Sequence, residues 1–185
     1  MNKRYKKHIQ ASMYMAIIVF IIRCAISFDE ITQGTSLYSF FGYISDAVTI
    51  TLILMFLYEK ILWRHNPYES VPVLSKKYSG KIIPSSGNTQ IDAELLIKQT
   101  LFSIHITLIT DESKSNSIIS TIEEINGEKT LTYSYINKPK EAYRQRSPIH
   151  YGTTMLCVDN PNEISGHYFT DRKSTGDMEF KVKED

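Results

Sequence analysis

Cysteine is scarce in this chain, with two in 185 residues, Cys24 and Cys157. One falls in an apolar stretch and the other in a strand-like one, so no disulfide framework and no metal-ligand spacing is implied. A glycine-rich phosphate loop, an HExxH helix and a paired-carboxylate motif are also missing, which leaves enzyme chemistry without support and points to a protein that is not an enzyme. Charge of one sign is missing too. Lys and Arg number 21 against 20 Asp and Glu, so no general affinity for DNA or RNA follows.

What is present is apolar and concentrated at the N-terminus. One stretch runs from about Ala11 to Phe28 and a second from about Leu37 to Leu57, each close to the roughly 20 apolar residues that a bilayer-spanning helix needs. Lys3, Arg4, Lys6 and Lys7 precede the first stretch, and Lys60 and Arg64 follow the second. The connector Asp29–Ser36 carries Asp29 and Glu30 and neither Lys nor Arg. Cationic flanks on the cytoplasmic side predict a multi-pass protein with cytoplasmic N- and C-termini and an external connector. Tyr58 and Trp63 suit the interfacial belt. A cleaved signal peptide is the competing reading of the first stretch. Arg23 within the apolar run, and the lack of a small-x-small cleavage site, favour a retained helix.

Arg23 and Asp46 are the costly residues in these stretches, at about 2.5–3.5 kcal/mol for a charge near the bilayer centre. Counted inward from the connector, their depths differ by a few ångströms, which an Arg side chain spans. A membrane pair Arg23–Asp46 within or between chains is one reading. In the other, Arg23 snorkels to the outer headgroups and Asp46 is tolerated. Gly42, Ser45, Ala47 and Thr49 are small enough to let helices approach closely.

After Trp63 the pattern changes period. A linker with Pro67 and Pro72 leads into strand-like runs with turn signals between them. The runs are Ser79–Ser85, Thr89–Thr100, Leu101–Asp111, Ser115–Ile125, Lys129–Asn137, Ile149–Val158, Ile164–Thr170 and Gly176–Lys183. Ser86–Gly87–Asn88 ends the first, and Asn126–Gly127, the strongest short hairpin signal, ends the fourth. About eight antiparallel strands with no helix between them predict an all-β up-and-down barrel or a sandwich. The expected division is residues 1–63, a two-helix membrane hairpin, and residues 64–185, a cytosolic β domain. An eight-stranded barrel is either filled by side chains or holds one small ligand.

Several side chains suit a nucleotide. Tyr133 and Tyr135 share a face with Asn137, His150 lies in the sixth run, and Arg172 and Lys173 sit on the last turn. Aromatic rings stack on bases, amides read base edges and guanidinium groups take phosphate. Each also has a plain structural reading: core tyrosines, a hydrogen-bonded histidine, solvated turn charges, and Ser113, Ser115 and Ser117 as ordinary turn and strand polars. A lipid-like ligand in the barrel, or a constitutive channel or structural subunit, are the other functions this organisation admits.

Five segments in order carry a resemblance. They are Ile97–Thr100, Glu112–Ser117, Leu131–Pro139, His150–Thr153 and the closing hairpin from Gly166 to Met178. Together with the two preceding helices they resemble the SMODS-associating two-transmembrane, β-strand-rich effectors of cyclic-oligonucleotide-based antiphage signalling systems (CBASS). Leu101 departs from the family pattern, where an aromatic commonly follows Gln-Thr. The resemblance implies a β-barrel and a bacterial inner-membrane effector. A partner nucleotidyltransferase would supply a cyclic dinucleotide or cyclic oligonucleotide as the activating ligand, with no other cofactor. Binding would drive homo-oligomerisation, and the helices would disrupt membrane lipids and abort infection. By motif position, the ligand-binding set it implies is Gln99, Ser113, Ser115, Tyr133, Tyr135, Asn137, His150, Thr153, Arg172, Lys173 and Thr175.

Overall fold

The structure is a computed structural model that describes residues 3–34, 36–87 and 89–183. Thr35 of the connector and Asn88 of the first barrel turn lie outside the described residues, as do the side chains of Lys3, Arg4 and Glu30. The chain divides into two compact units, residues 1–63 and 64–185.

The first unit is helical. Helix α1 spans Lys3–Ile26, a short α2 spans Phe28–Thr32 within the connector, and α3 spans Leu37–Lys60. Ser36 caps α3 by accepting from the Ser39 amide, which satisfies one of the donors a helix start leaves open. Residues Tyr5–Ile26 and Leu37–Lys60 are long and apolar enough to cross a membrane. Ile17, Ile18, Ile21 and Ile22 of α1 and Leu52, Ile53 and Phe56 of α3 are all exposed. An apolar surface of that kind suits lipid rather than water. Helices α1 and α3 pack on each other. Tyr43, Ala47 and Thr51, four residues apart on α3, are its buried side chains. Of the small residues in α3, Ala47 is therefore covered, while Gly42, Ser45 and Thr49 are exposed.

The second unit is a closed antiparallel barrel whose strands follow chain order. They are β1 Lys77–Pro84, β2 Ile91–Gln99, β3 Ile104–Thr110, β4 Ser113–Ile125, β5 Glu128–Pro139, β6 His150–Cys157, β7 Glu163–Thr170 and β8 Thr175–Val182. The barrel, rather than the sandwich, is the observed form, because β1 pairs with β8 from Tyr78↔Val182 to Pro84↔Gly176 and leaves no exposed edge. Residues 101–103, expected to begin the third strand, form a turn in which the Thr100 amide donates to the Ser103 carbonyl. Asn126 and Gly127 both take positive φ (54° and 87°), as a two-residue hairpin turn that matches strand twist requires.

Alternate residues fill the lumen, among them Tyr78, Leu95, Ile106, Leu131, Leu156, Ile164, Met178 and Phe180. One irregularity changes which residues these are. The β4–β5 register shifts between Ser117 and Ile119, so one residue is extra and the inward set on β4 passes from odd to even numbers. The Ser117 hydroxyl accepts from the Ile106 amide at 2.9 Å, which satisfies a donor beside the bulge.

A segment before β1 closes the barrel end at which the chain enters. Val71 and Leu74 are buried there. The Ser75 amide donates to the Tyr78 hydroxyl at 2.9 Å, and that hydroxyl donates to the Pro161 carbonyl at 2.7 Å.

Gly166 shows how tightly the wall is folded. A Cβ built there would lie 1.9 Å from the Met155 carbonyl oxygen, whereas one at Gly87 would meet nothing within 4 Å. Gly166→Ala is expected to lower the thermal midpoint, at a cost of about 1–3 kcal/mol, and Gly87→Ala to leave it unchanged. Thermal denaturation followed by circular dichroism checks both.

Candidate functional site

The up-and-down topology sorts the expected site residues by barrel end. Strand β4 begins, and strand β5 ends, at the mouth opposite the plugged end. The register pairs Ser115 with Asn137, Asn137 with His150, and Tyr135 with Gly152. Ser113, Ser115, Tyr135, Asn137 and His150 therefore gather around one mouth, and the β7–β8 turn adds Arg172 and Lys173.

The side chains there are already ordered. Asn137 Nδ2 donates to both Ser113 Oγ and Ser115 Oγ, each at 3.0 Å, while its buried Oδ1 has no partner among the described residues. His150 Nδ1 lies 3.0 Å from the Pro148 carbonyl, to which it donates, so Nε2 is the ring nitrogen left toward the opening. Tyr135 turns its hydroxyl into the space a side chain at position 152 would occupy: a Cβ on Gly152 would lie 2.4 Å from that oxygen. Burial, with Tyr168 and Asp171 nearby, pushes the Tyr135 phenol up to about 12, so it stays protonated and can donate at neutral pH. Tyr133 lies one inward position deeper, its ring centroid 5.9 Å from that of Tyr135. Its buried hydroxyl faces the Thr154 side chain, while Ser120 Oγ, whose residue pairs with Tyr133 across the strands, has no partner among the described residues.

Cationic groups frame the rim. Arg172 Nη1 donates to Ser147 Oγ at 2.9 Å, joining the β7–β8 turn to the loop between β5 and β6. In that loop Arg144 pairs with Glu141 at 2.8 Å. Arg146 pairs with Glu112 and stacks 4.9 Å above the Tyr143 ring. Lys173 takes φ 61° in a turn closed by the Thr170 amide donating to the Ser174 carbonyl at 2.9 Å.

Three of the expected residues are not part of this gathering. Gln99 lies at the opposite, plugged end. Its Nε2 donates to the Pro72 carbonyl at 2.9 Å and its Oε1 accepts from the Leu74 amide at 3.0 Å. Thr153 is on the outer wall, because its neighbour Thr154 is the inward residue, and it shares a 3.0 Å hydroxyl contact with Ser134. Thr175 is also outward, at the mouth end, where it donates to Ser85 Oγ at 3.2 Å. In the other direction, Ser120 was not expected. Strict alternation from Ser113 turns it outward, and only the bulge brings it in.

The arrangement offers aromatic rings, an oriented amide, an imidazole nitrogen and rim guanidinium groups around one opening. That combination suits a flat, anionic, hydrogen-bonding ligand. Removing Gln99 tests the division between the two ends. Gln99→Ala is expected to destabilise the barrel by about 1–3 kcal/mol for each backbone group left buried and unpaired. It should also speed hydrogen exchange at the Leu74 amide, with the mouth unaffected.

Residues 69–182 match the family described as Cap15, cyclic dinucleotide receptor domain. The chain is also 30% identical to the CD-NTase-associated protein 15 of Staphylococcus schleiferi over 187 residues, an alignment that covers 98% of each chain.

Proposed function

The chain belongs to the Cap15 cyclic dinucleotide receptor family, and from that premise we propose that its barrel mouth binds a cyclic dinucleotide or related cyclic oligonucleotide made by a partner nucleotidyltransferase in antiphage defence. The observation that carries this reading is the gathering of Tyr135, Asn137, His150, Arg172 and Lys173 at one end of the barrel. The rings would stack on a base, Asn137 would read its edge, and Arg172 and Lys173 would meet the phosphates. No catalytic role is assigned to any of them.

In this reading α1 and α3 span the bacterial inner membrane, both termini are cytoplasmic, and residues 64–185 form the sensing domain. Ligand binding drives homo-oligomerisation, and the hairpins then disrupt the membrane and end the infection. A ligand can drive such a change only if it binds the assembled state better than the resting one. The loop from Lys140 to Ile149 supports such coupling, since Arg146 and Ser147 tie it to Glu112 and Arg172 across the mouth.

The hairpin has its own polar centre. Arg23 Nε lies 3.0 Å from Asp46 Oδ2, and its guanidinium sits 4.6 Å over the Tyr43 ring and bonds Ser27. Beside Arg23, Tyr43 and Asp46 lies an open recess of about 500 Å³ that Ser39, Gly42 and Ser45 also line. We place this pair within the membrane, where it holds the helices in the geometry that assembly needs.

Calorimetry of the full chain in detergent against a panel of cyclic di- and trinucleotides tests the binding reading. Asn137→Ala and Arg172→Ala are each expected to weaken binding by about tenfold or more, equivalent to about 1.4 kcal/mol, with Thr153→Ala close to wild type. A folded wild-type protein that binds nothing in the panel would overturn it. For the membrane pair, Asp46→Leu alone is expected to abolish phage protection by stranding Arg23 in lipid. If R23L/D46L preserves both assembly and protection, the pair has no such role.

A further inference from the structure

The outer wall of the barrel carries a feature that nucleotide binding does not use. On β4, Ile118 and Ile119 stand side by side at the bulge and are 63% and 69% exposed. The register runs from them across the outer face, Ile119↔Ser134↔Thr153↔Phe169, with Ile136↔Tyr151 one outward row nearer the mouth. Tyr151 and Phe169 are about half exposed. The two hydroxyls within this band, Ser134 and Thr153, bond each other at 3.0 Å, so one of their two O–H groups is already paired when the band is covered. Asp171, whose carboxylate accepts from the Tyr151 amide at 3.2 Å, stands at its mouth-side corner.

Charge is otherwise segregated to its two margins. At the mouth-side margin Lys114 and Lys138 are directly opposite each other on β4 and β5, both exposed and with no carboxylate partner among the described residues. Like charges placed opposite in a sheet are destabilising, and nothing within the barrel offsets this pair. At the far margin, beyond Met155, a groove of about 540 Å³ is lined by Glu128, Asp177 and Glu179, with His167 Nδ1 2.6 Å from Asp177 Oδ1, and by no Lys or Arg. One margin is thus cationic, the other anionic, and the band between them is apolar.

We infer that this face of the barrel docks a second copy of the same chain. A two-fold arrangement lays apolar band on apolar band and sets the Lys114–Lys138 pair of each copy at the acidic groove of the other, so the surface is complementary to itself. The inference rests on the ligand-driven assembly proposed above and names a surface that carries it. It also supplies a route from the ligand. Ser115 and Asn137 face the mouth, while Lys114 and Lys138, their immediate neighbours in sequence, face the partner copy, so a nucleotide that tightens β4 against β5 steadies the docking face.

The test is the mass of the full chain in detergent by multi-angle light scattering, with and without the cyclic nucleotide panel, alongside calorimetry. Wild type is expected to gain mass on adding its nucleotide. Ile119→Lys and K114E/K138E are expected to lose that gain while still binding nucleotide, with affinity reduced only by the lost coupling to assembly. Adding D177K/E179K to K114E/K138E reverses both margins and is expected to restore the gain. If Ile119→Lys assembles like wild type, or the fourfold charge reversal restores nothing, this surface is wrong and the assembly reading stands. A wild-type chain whose mass never changes with any nucleotide overturns both.

Discussion

Hydrogen bonding of β1 to β8 is the contact on which the rest of the barrel depends. It turns a meander with two exposed edges into a closed wall, and closure commits every second residue of every strand to the interior. Each strand has an entrance and an exit at defined ends, so residues distant in sequence but alike in strand position share one mouth. Asn137 meets Ser113 and Ser115 across the β4–β5 pair, and Arg172 of the β7–β8 turn meets Ser147 of the β5–β6 loop because both connections lie at that mouth.

The lumen this produces is chemically divided. Toward the linker end it is apolar, built from Leu95, Ile106, Leu131 and Leu156, and it is sealed by the Val71–Ser75 segment held on Gln99. Toward the mouth, along β4, β5 and β6, it becomes polar through Ser115, Ser120, Tyr133, Asn137 and Thr154. Among the described residues, Ser120 Oγ and Asn137 Oδ1 are buried oxygens without a hydrogen-bond partner in this polar part. Unpaired polar atoms are costly in a packed interior, and their presence here supports the proposal that a hydrogen-bonding ligand binds from this end.

The β4–β5 pair serves both faces of the wall. Its inward residues shape the mouth, and its outward residues include the uncompensated lysines and the bulge isoleucines. A single extra residue at the bulge lets one strand turn Ser120 and Ile122 inward while leaving two adjacent isoleucines outside. The helical unit follows a different logic. Many of its apolar side chains point outward, and Arg23 joins Asp46, Ser27 and Tyr43 in one polar cluster.

Much of this was legible before any coordinates. The two helices, the eight strands and the Asn126–Gly127 turn follow from hydrophobic period, turn chemistry and length, which are local properties of the chain. The expected strand limits differ from the observed ones by a few residues at most, and the largest difference, at Leu101–Ser103, is a tight turn whose apolar residues imitate a strand. The resemblance to the effector family was carried by short segments in order and needed no fold. Which of those segments meet was not legible. Gln99 and Asn137 are both polar residues near strand ends, and only the up-and-down path of a closed barrel separates them to opposite ends. Thr153 and Thr154 are neighbours of one type, and only the strand's phase against the wall decides that one faces the lumen and the other the solvent. Sequence determined the elements because they depend on neighbours along the chain. The tertiary structure alone decided the site, because closure, register and one bulge set which side chains share a space.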